Sequence, residues 1–412
     1  MGFLNGRVTF SRHRVGGPSP LPFSEEALNL LEQNAIGKYS PADPVDGVSV
    51  GWSGGDHVLD MTFDLGKNLL NDALHAAIRI DTDKIPGSLL RAYTQIELDA
   101  RAAMNPSGLP TKAQRQEAKE AAKARAESEA ADGRFRRHAH YPILWDGQNG
   151  ILYAGTSSST VLERLYGLFR QTFDRSLEPI TAGTLAMGGA ESVDETDRLA
   201  ARFGSGSLSL YAGDAGELSA VTWTENAPNM LDHLGNEFLV WLWHHLQNEG
   251  DTIELADGSD VAVMVAKTLT LDCPRGETGR DTLTDESPTR LPEAFRALQS
   301  GKLPRKAGLI IVRHGAQYEF TLQAESMAVS GLALPKPEER LAPYEMKLAR
   351  VDALRHFAET LDLLFEAYRT RRADASWSEE AARVKGWLTA ASCDRDNPSC
   401  DRERESAARL AS

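Results

Sequence analysis

TKAQRQEAKEAAKARAESEAADG (111–133) runs directly into RFRRHAHYPILWDGQNGILYAGTSSSTVLERL (134–165). The first half is built from Ala, Glu, Lys, Arg and Gln, the strong helix formers, and Thr111 stands where an N-cap belongs. The second half changes period. Tyr141–Asp146 and Gly150–Gly155 flank a DGQNG turn and predict a β-hairpin, and the hydroxyl run Thr156–Ser159 caps a helix to Arg175. Helix, hairpin and helix in succession point to an α+β fold with antiparallel sheets and packed helices. Between Lys112 and His140 stand eight Lys/Arg against five carboxylates, a balance of +3 in a chain whose net charge is −14. That cationic island is the contrast a functional reading has to explain.

Outward from this stretch, Gly6–His13 alternates Val8 and Phe10 with polar neighbours and predicts a first strand. Ser24, Glu25 and Glu26 open a helix to about Ala35, with Leu28, Leu30 and Leu31 as its apolar side. Strands are predicted at Val48–Trp52, at Val58–Phe63 and at the end of Asn71–Asp81, and Pro86 starts a helix to about Met104. Gly183–Gly216 is read as a linker or mobile insertion, after which Pro228 begins a helix to about Gln247. Thr252–Leu271 supplies two strands, Glu277–Pro288 a polar loop, and Arg290–Ser300 a helix. Ala307–Val312 and Tyr318–Leu322 form another hairpin. Over Pro337–Arg372, the spacing of Leu348, Val351, Leu354, Phe357, Leu361, Leu364, Phe365 and Tyr368 predicts a long C-terminal helix packed on the sheet of its own protomer. A last helix carries Trp377 to Trp387. The expected domains are therefore 1–182, the insertion 183–216, a second α+β domain 217–335, a helical segment 336–392 and a disordered tail 393–412.

With 41% hydrophobic and 25% charged residues the composition is that of a soluble globular protein. No apolar run approaches the roughly 20 residues that span a bilayer, so no membrane partner is expected. The start MGFLNGRVTFSRHR shows no apolar signal-peptide core, and Gly2 lacks the hydroxyl at the sixth position that myristoylation requires. Cys273, Cys393 and Cys400 are too scattered for a disulfide framework. A cytoplasmic protein is expected. The acidic balance argues against coating nucleic acid with the whole surface, while leaving room for a local basic channel.

Catalytic constellations are weaker. LIIVRHG (309–315) has the Arg-His-Gly of a histidine phosphatase, but too little chain follows it, and a hairpin turn at His314–Gly315 reads better. His233, Glu237, Trp241 and His244 share one helix face. His233 and Glu237 could hold the metal of a nuclease, although Trp241 extends the same stripe as a core face would. No Walker loop and no nucleophile elbow appear. The chain is read as a non-enzyme without cofactor. In the charged helix, Lys112, Arg115, Lys119 and Lys123 fall on one side, a stripe that could track a phosphate backbone or be simply solvated. Arg134, Arg136 and Arg137 cluster beside Phe135 at a strand start.

Four stretches resemble the RdgC family of recombination-associated bacterial DNA-binding proteins. They are the opening GFLNGRVTFSRHR with EEALNLLEQNAI, the centre RFRRHAHYPILWDGQNGILYAGTSSSTVLERLYGLFRQTF, the element LQSGKLPRKAGLII, and the closing helix ERLAPYEMKLARVDALRHFAETLDLLFEAY. GNEFLVWLWHH is similar to divergent, longer members. The resemblance implies a ring-shaped homodimer that encircles double-stranded DNA without sequence preference, is nucleoid-associated, and restrains a RecA-type recombinase by occupying DNA. It further implies that Arg134 and Phe135 lie near the dimer contact, with Phe135 in it. It places Lys302, Arg305 and Lys306 on a DNA-facing rim, and Arg275 and Arg280 in a protruding loop. The alternatives are a protein-interaction module using the charged helix and a metal-dependent nuclease.

Overall fold

Twenty residues after Thr111 form a helix in the computed structural model of the chain, which describes residues 2–17, 25–38, 47–188, 192–204, 208, 231–273, 279–337 and 339–390. In chain order come β1 (Val8–Val15), α1 (Glu25–Gln33), β2 (Val48–Ser53), α2 (Leu65–Asn68), β3 (Leu69–Leu70) and β4 (Ala73–Asp83). There follow α3 (Gly87–Ala103), α4 (Lys112–Ala131), β5 (Arg136–Asp146), β6 (Ile151–Ala154), α5 (Ser159–Phe173), β7 (Leu177–Pro179), α6 (Ala182–Ala186) and α7 (Val193–Phe203). Then come α8 (Leu234–Asn248), β8 (Thr252–Glu254), β9 (Asp260–Asp272), β10 (Arg280–Asp285) and α9 (Pro292–Gln299). The chain continues through β11 (Leu303–Arg313), β12 (Ala316–Gln323), β13 (Val329–Ala333), α10 (Pro343–Ala373) and α11 (Trp377–Ala390). The class is α+β, with a long helix near the C-terminal end.

Two compact units emerge, and they do not follow the linear boundaries 1–182, 183–216 and 217–335. One comprises Met1–Gly16, Gly150–Ser157 and Leu177–Ser412; the other comprises Gly17–Asn149 and Ser158–Ser176. The reason is strand pairing. Val8 and Phe10 of β1 sit against Leu332 and Val329 of β13, so the first strand belongs to the sheet of the last third.

In the larger unit the sheet order is β10-β9-β11-β12-β13-β1-β6, with β8 on β9 and β7 on β1, and the pairings are antiparallel. α8 is apolar nearly all round and is buried from Leu234 to His245. The predicted stripe of α10 is buried from Val351 to Tyr368, Leu348 being half-buried, with Phe357 4.8 Å from Phe320 and 6.3 Å from Phe10 between ring centroids. His314 and Gly315 both have positive φ (50° and 76°), the backbone of a two-residue hairpin turn, and Arg313 beside them is buried against Asp257 and Glu359. The smaller unit packs α1 and α5 on the sheet β5-β4-β2. Trp145, Phe169 and Phe173 meet edge-to-face or tilted, with ring centroids 4.9–5.3 Å apart, and the Trp52 indole donates to Thr172 Oγ1 at 2.7 Å.

Three sequence expectations need correcting. Val58–Phe63 is a loop, because Asp60 accepts from the Asp56 and Thr62 amides, the Thr62 hydroxyl and Lys67, and so fixes a turn. Within the supposed linker, α6 and α7 are helical, each opened by a hydroxyl cap at Thr181 and Ser192. Part of the loop Glu277–Pro288 is the strand β10, which pairs along its whole length with β9. Ser24, Pro228, residues 189–191, 205–207 and 209–216 of the insertion, and the tail 393–412 lie outside the described residues.

His13, on β1, is fully buried, and its Nε2 lies 2.9 Å from Ser11 Oγ. Burial brings its pKa down to about 4. A depressed histidine binds its proton more readily in the unfolded chain, so its contribution is complete above the unfolded pKa near 6.5 and is lost as pH falls toward 4. Unfolding by urea should therefore show about 2 kcal/mol less stability at pH 5 than at pH 7.5 from this group, and a His13→Gln variant should lack that part of the slope. Identical pH profiles for the two proteins would refute the assignment.

Candidate nucleic-acid interface

The candidate cations of the smaller unit sit on a helical hairpin inserted between two paired strands. β4 and β5 run antiparallel from Ala73↔Asp146 to Asp83↔Arg136, and α3 and α4 connect those last two residues. α3 buries no residue and α4 buries only Ala118, Ala122 and Ala126. An Ala at every fourth position lets the two helices approach closely, and they pack chiefly on each other. The tip is closed by polar contacts. Thr111 and Gln114 form a capping box, and Asn105 donates to Gln114 Oε1 at 2.7 Å and to the Leu109 carbonyl at 2.8 Å. Along the shaft the Tyr93 hydroxyl donates to Glu129 at 2.7 Å while Arg125 stacks 4.3 Å from its ring.

Lys112, Arg115, Lys119 and Lys123 are all exposed on α4. Lys123 lies 3.5 Å from Glu127; Lys112, Arg115 and Lys119 make no ion pair among the described residues. The four span about 16 Å of helix, a length over which duplex DNA carries roughly ten charges. At the foot of the hairpin, Arg134 is exposed and 3.5 Å from Glu129, and Phe135 is half-buried. Arg136 and Arg137 project to opposite faces of β5. Arg136 is engaged by Asp83 at 2.9 Å, which raises its pKa, whereas Arg137 is exposed with no ion pair among the described residues.

Beneath Arg136 the same face carries a ladder of cross-strand polar pairs, Asp83/Arg136, Asp81/His138 and Arg79/His140. Arg79 donates from Nε and Nη2 to the two oxygens of Asp81, each at 2.8 Å, and His138 Nδ1 is 2.8 Å from Asp81. Burial alone would raise Asp81; the bonds from Arg79 and His138 outweigh it and hold the carboxylate below its usual range. The ladder therefore fixes the strand that presents Arg137. These counter-ions, Asp81, Asp83 and Glu129, were not read from the sequence.

The remaining candidates belong to the larger unit. Lys302 is buried, with its ammonium 2.6 Å from Asp281, so it is held internally rather than presented on a rim. Arg305 is shared by Glu325 at 2.9 Å and Asp272 at 3.4 Å. Lys306 is exposed and makes no ion pair among the described residues. Arg280 lies in β10 and is paired with Asp272 at 2.9 Å, and Arg275 is outside the described residues. Glu237, the carboxylate of the nuclease alternative, is buried and accepts from Arg372 at 3.2 Å, from the Tyr368 hydroxyl at 3.3 Å and from the Leu208 amide at 3.2 Å. Among the described residues no three His, Cys, Asp or Glu side chains group as a metal site would, and no helix is long and apolar enough to cross a membrane.

The chain matches no protein-family model, and comparison with the curated proteins gives no significant match.

Proposed function

We propose that this chain binds double-stranded DNA without sequence preference. The observation that carries the reading is a set of exposed cations that make no ion pair among the described residues, Lys112, Arg115, Lys119 and Arg137, on and at the foot of one helical hairpin in a chain of net charge −14. Lysine and arginine bind phosphate oxygens whatever the base sequence, and release of condensed counter-ions supplies the free energy. The acidic remainder disfavours adhesion elsewhere, which confines contact to the basic face. Together with the RdgC resemblance of 134–173, this supports a homodimer that surrounds the duplex and modulates homologous recombination, limiting a RecA-type recombinase by occupying its DNA. Lys306 is retained as a candidate contact and Phe135 as a candidate dimer contact; Lys302 is not.

A second reading, docking of the same hairpin on a protein, draws on Met104 and Leu109, which are 80% and 65% exposed at its tip. Topology separates the two. An encircling dimer stays on closed circular duplex through a moderate-salt wash and slides off the same DNA once it is cut. Equal loss from circular and linear DNA would remove the ring, and absence of any DNA binding at low salt would favour the protein partner.

A further inference from the structure

The far end of the α3–α4 hairpin is apolar, and its backbone is built to keep it exposed. Helices of 17 and 20 residues are long enough to hold that end about 25 Å from the strands they connect. Met104 and Leu109 stand there, both among the most exposed apolar side chains of the described residues. A turn between them fixes the tip. The Gly108 amide donates to the Asn105 carbonyl at 2.9 Å, Pro106 presets the φ of the first central position, and Gly108 takes the positive φ of 65° that glycine tolerates. The Asn105 side chain binds both the Leu109 carbonyl and Gln114, so the backbone carrying Leu109 is tied to the capping box of α4. Side chains on a turn held in this way lose little freedom when they enter a partner.

Charge selects the partner. Between Asp99 and Glu117 the chain has no carboxylate and three cations, Arg101, Lys112 and Arg115. Arg101 is engaged by Glu97 at 2.5 Å and lies 3.8 Å from Glu117, whereas Lys112 and Arg115 make no ion pair among the described residues. Lys112 follows Leu109 by three residues, so a cation adjoins the apolar tip in a chain of net charge −14. That combination complements a partner whose apolar faces lie between anionic groups. The stacked bases of a duplex, framed by phosphates, have this arrangement, and Met, Leu and Pro are among the side chains that part base steps. We propose that Met104 and Leu109 enter duplex DNA as an apolar wedge, separating neighbouring bases while Lys112 and Arg115 hold the adjacent phosphates. Resting on the duplex-DNA reading, the wedge adds a contact that uses base faces and no hydrogen-bonding edge. It therefore tolerates any sequence and favours the pyrimidine–purine steps that unstack most easily.

A short duplex with 2-aminopurine replacing the adenine of its TA steps reports unstacking by a rise in fluorescence. The full natural chain should produce that rise saturably. A variant carrying Met104→Ser and Leu109→Ser should leave the fluorescence at the level of free duplex and bind about tenfold more weakly. Its melting curve and its slope of log affinity against log salt should be those of the natural chain, because both positions are exposed and no cation has changed. Met104→Leu with Leu109→Met, which keeps both side chains apolar, should retain the rise. Absence of duplex binding by the natural chain at low salt overturns the wedge and the DNA reading together. Binding without a rise, or a rise that the serine variant keeps, overturns the wedge alone and leaves the tip to a protein partner. Attachment to phosphatidylglycerol vesicles that the serine variant loses, with duplex binding unaltered, overturns it in favour of a membrane surface.

Discussion

A variant carrying Lys112→Glu, Arg115→Glu, Lys119→Glu and Arg137→Glu should bind duplex DNA about a thousandfold more weakly than the natural chain, and equally so on unrelated sequences. Each of these cations is exposed and makes no ion pair among the described residues, so on the proposed reading its reversal removes a phosphate contact without orphaning a described carboxylate. At about 1 kcal/mol for each exposed contact, four reversals cost about 4 kcal/mol, roughly three decades of affinity. The same exposure predicts an unchanged melting temperature, which separates loss of binding from loss of fold. Arg136 is deliberately outside this set: its removal would leave Asp83 unpaired and confuse the two effects. Electrophoretic mobility shifts on two unrelated duplexes measure the result. Affinity within twofold of the natural chain would strike the hairpin from the contact surface.

Replacing Arg372 by Ala should lower the stability of the folded chain by about 3–5 kcal/mol, the usual consequence of leaving a buried charge without its partner. Arg372 and Glu237 are each 1% exposed and lie 3.2 Å apart. The guanidinium also donates to the Arg202 and Phe203 carbonyls at 3.2 and 2.9 Å and lies 4.9 Å from the Trp377 ring centroid. One side chain thus ties α7, α8, α10 and α11 together. Replacing both members by Leu should cost less than the single change, because no buried charge then remains. Urea denaturation of the single and double variants decides it. A double variant less stable than Arg372→Ala would show that the bonds Glu237 accepts from the Tyr368 hydroxyl and the Leu208 amide outweigh the relief of its buried charge.

How much was legible follows from what each signal depends on. The turn chemistry of DGQNG and the apolar stripe Val351–Tyr368 are local, and both strands about the turn and the buried face of α10 are present. β10 was missed because RDTLTD has one apolar residue and no inward face to betray it. Val58–Phe63 misled in the opposite sense: its alternation is real, but Leu59 and Met61 are exposed and Asp60 is turned inward by its hydrogen bonds. For the site, the cations could be counted but not their counter-ions. Asp83 is 53 residues from Arg136, and Asp281 is 21 from Lys302, separations at which sequence spacing carries no information. The distinction between a cation with no ion pair among the described residues and a neutralised one is tertiary, and it divides Arg137 from Arg136 and Lys306 from Lys302.

The affinity of the natural chain for duplex DNA, measured between 50 and 200 mM salt and again with the four-site variant, tests phosphate binding by the hairpin. Contacts to phosphate by Lys112, Arg115, Lys119 and Arg137 predict a steep linear fall of log affinity with log salt, shallower by about 3.6 in the variant, at roughly 0.9 for each contact removed. Parallel lines for the two proteins, or an affinity indifferent to salt, would contradict it.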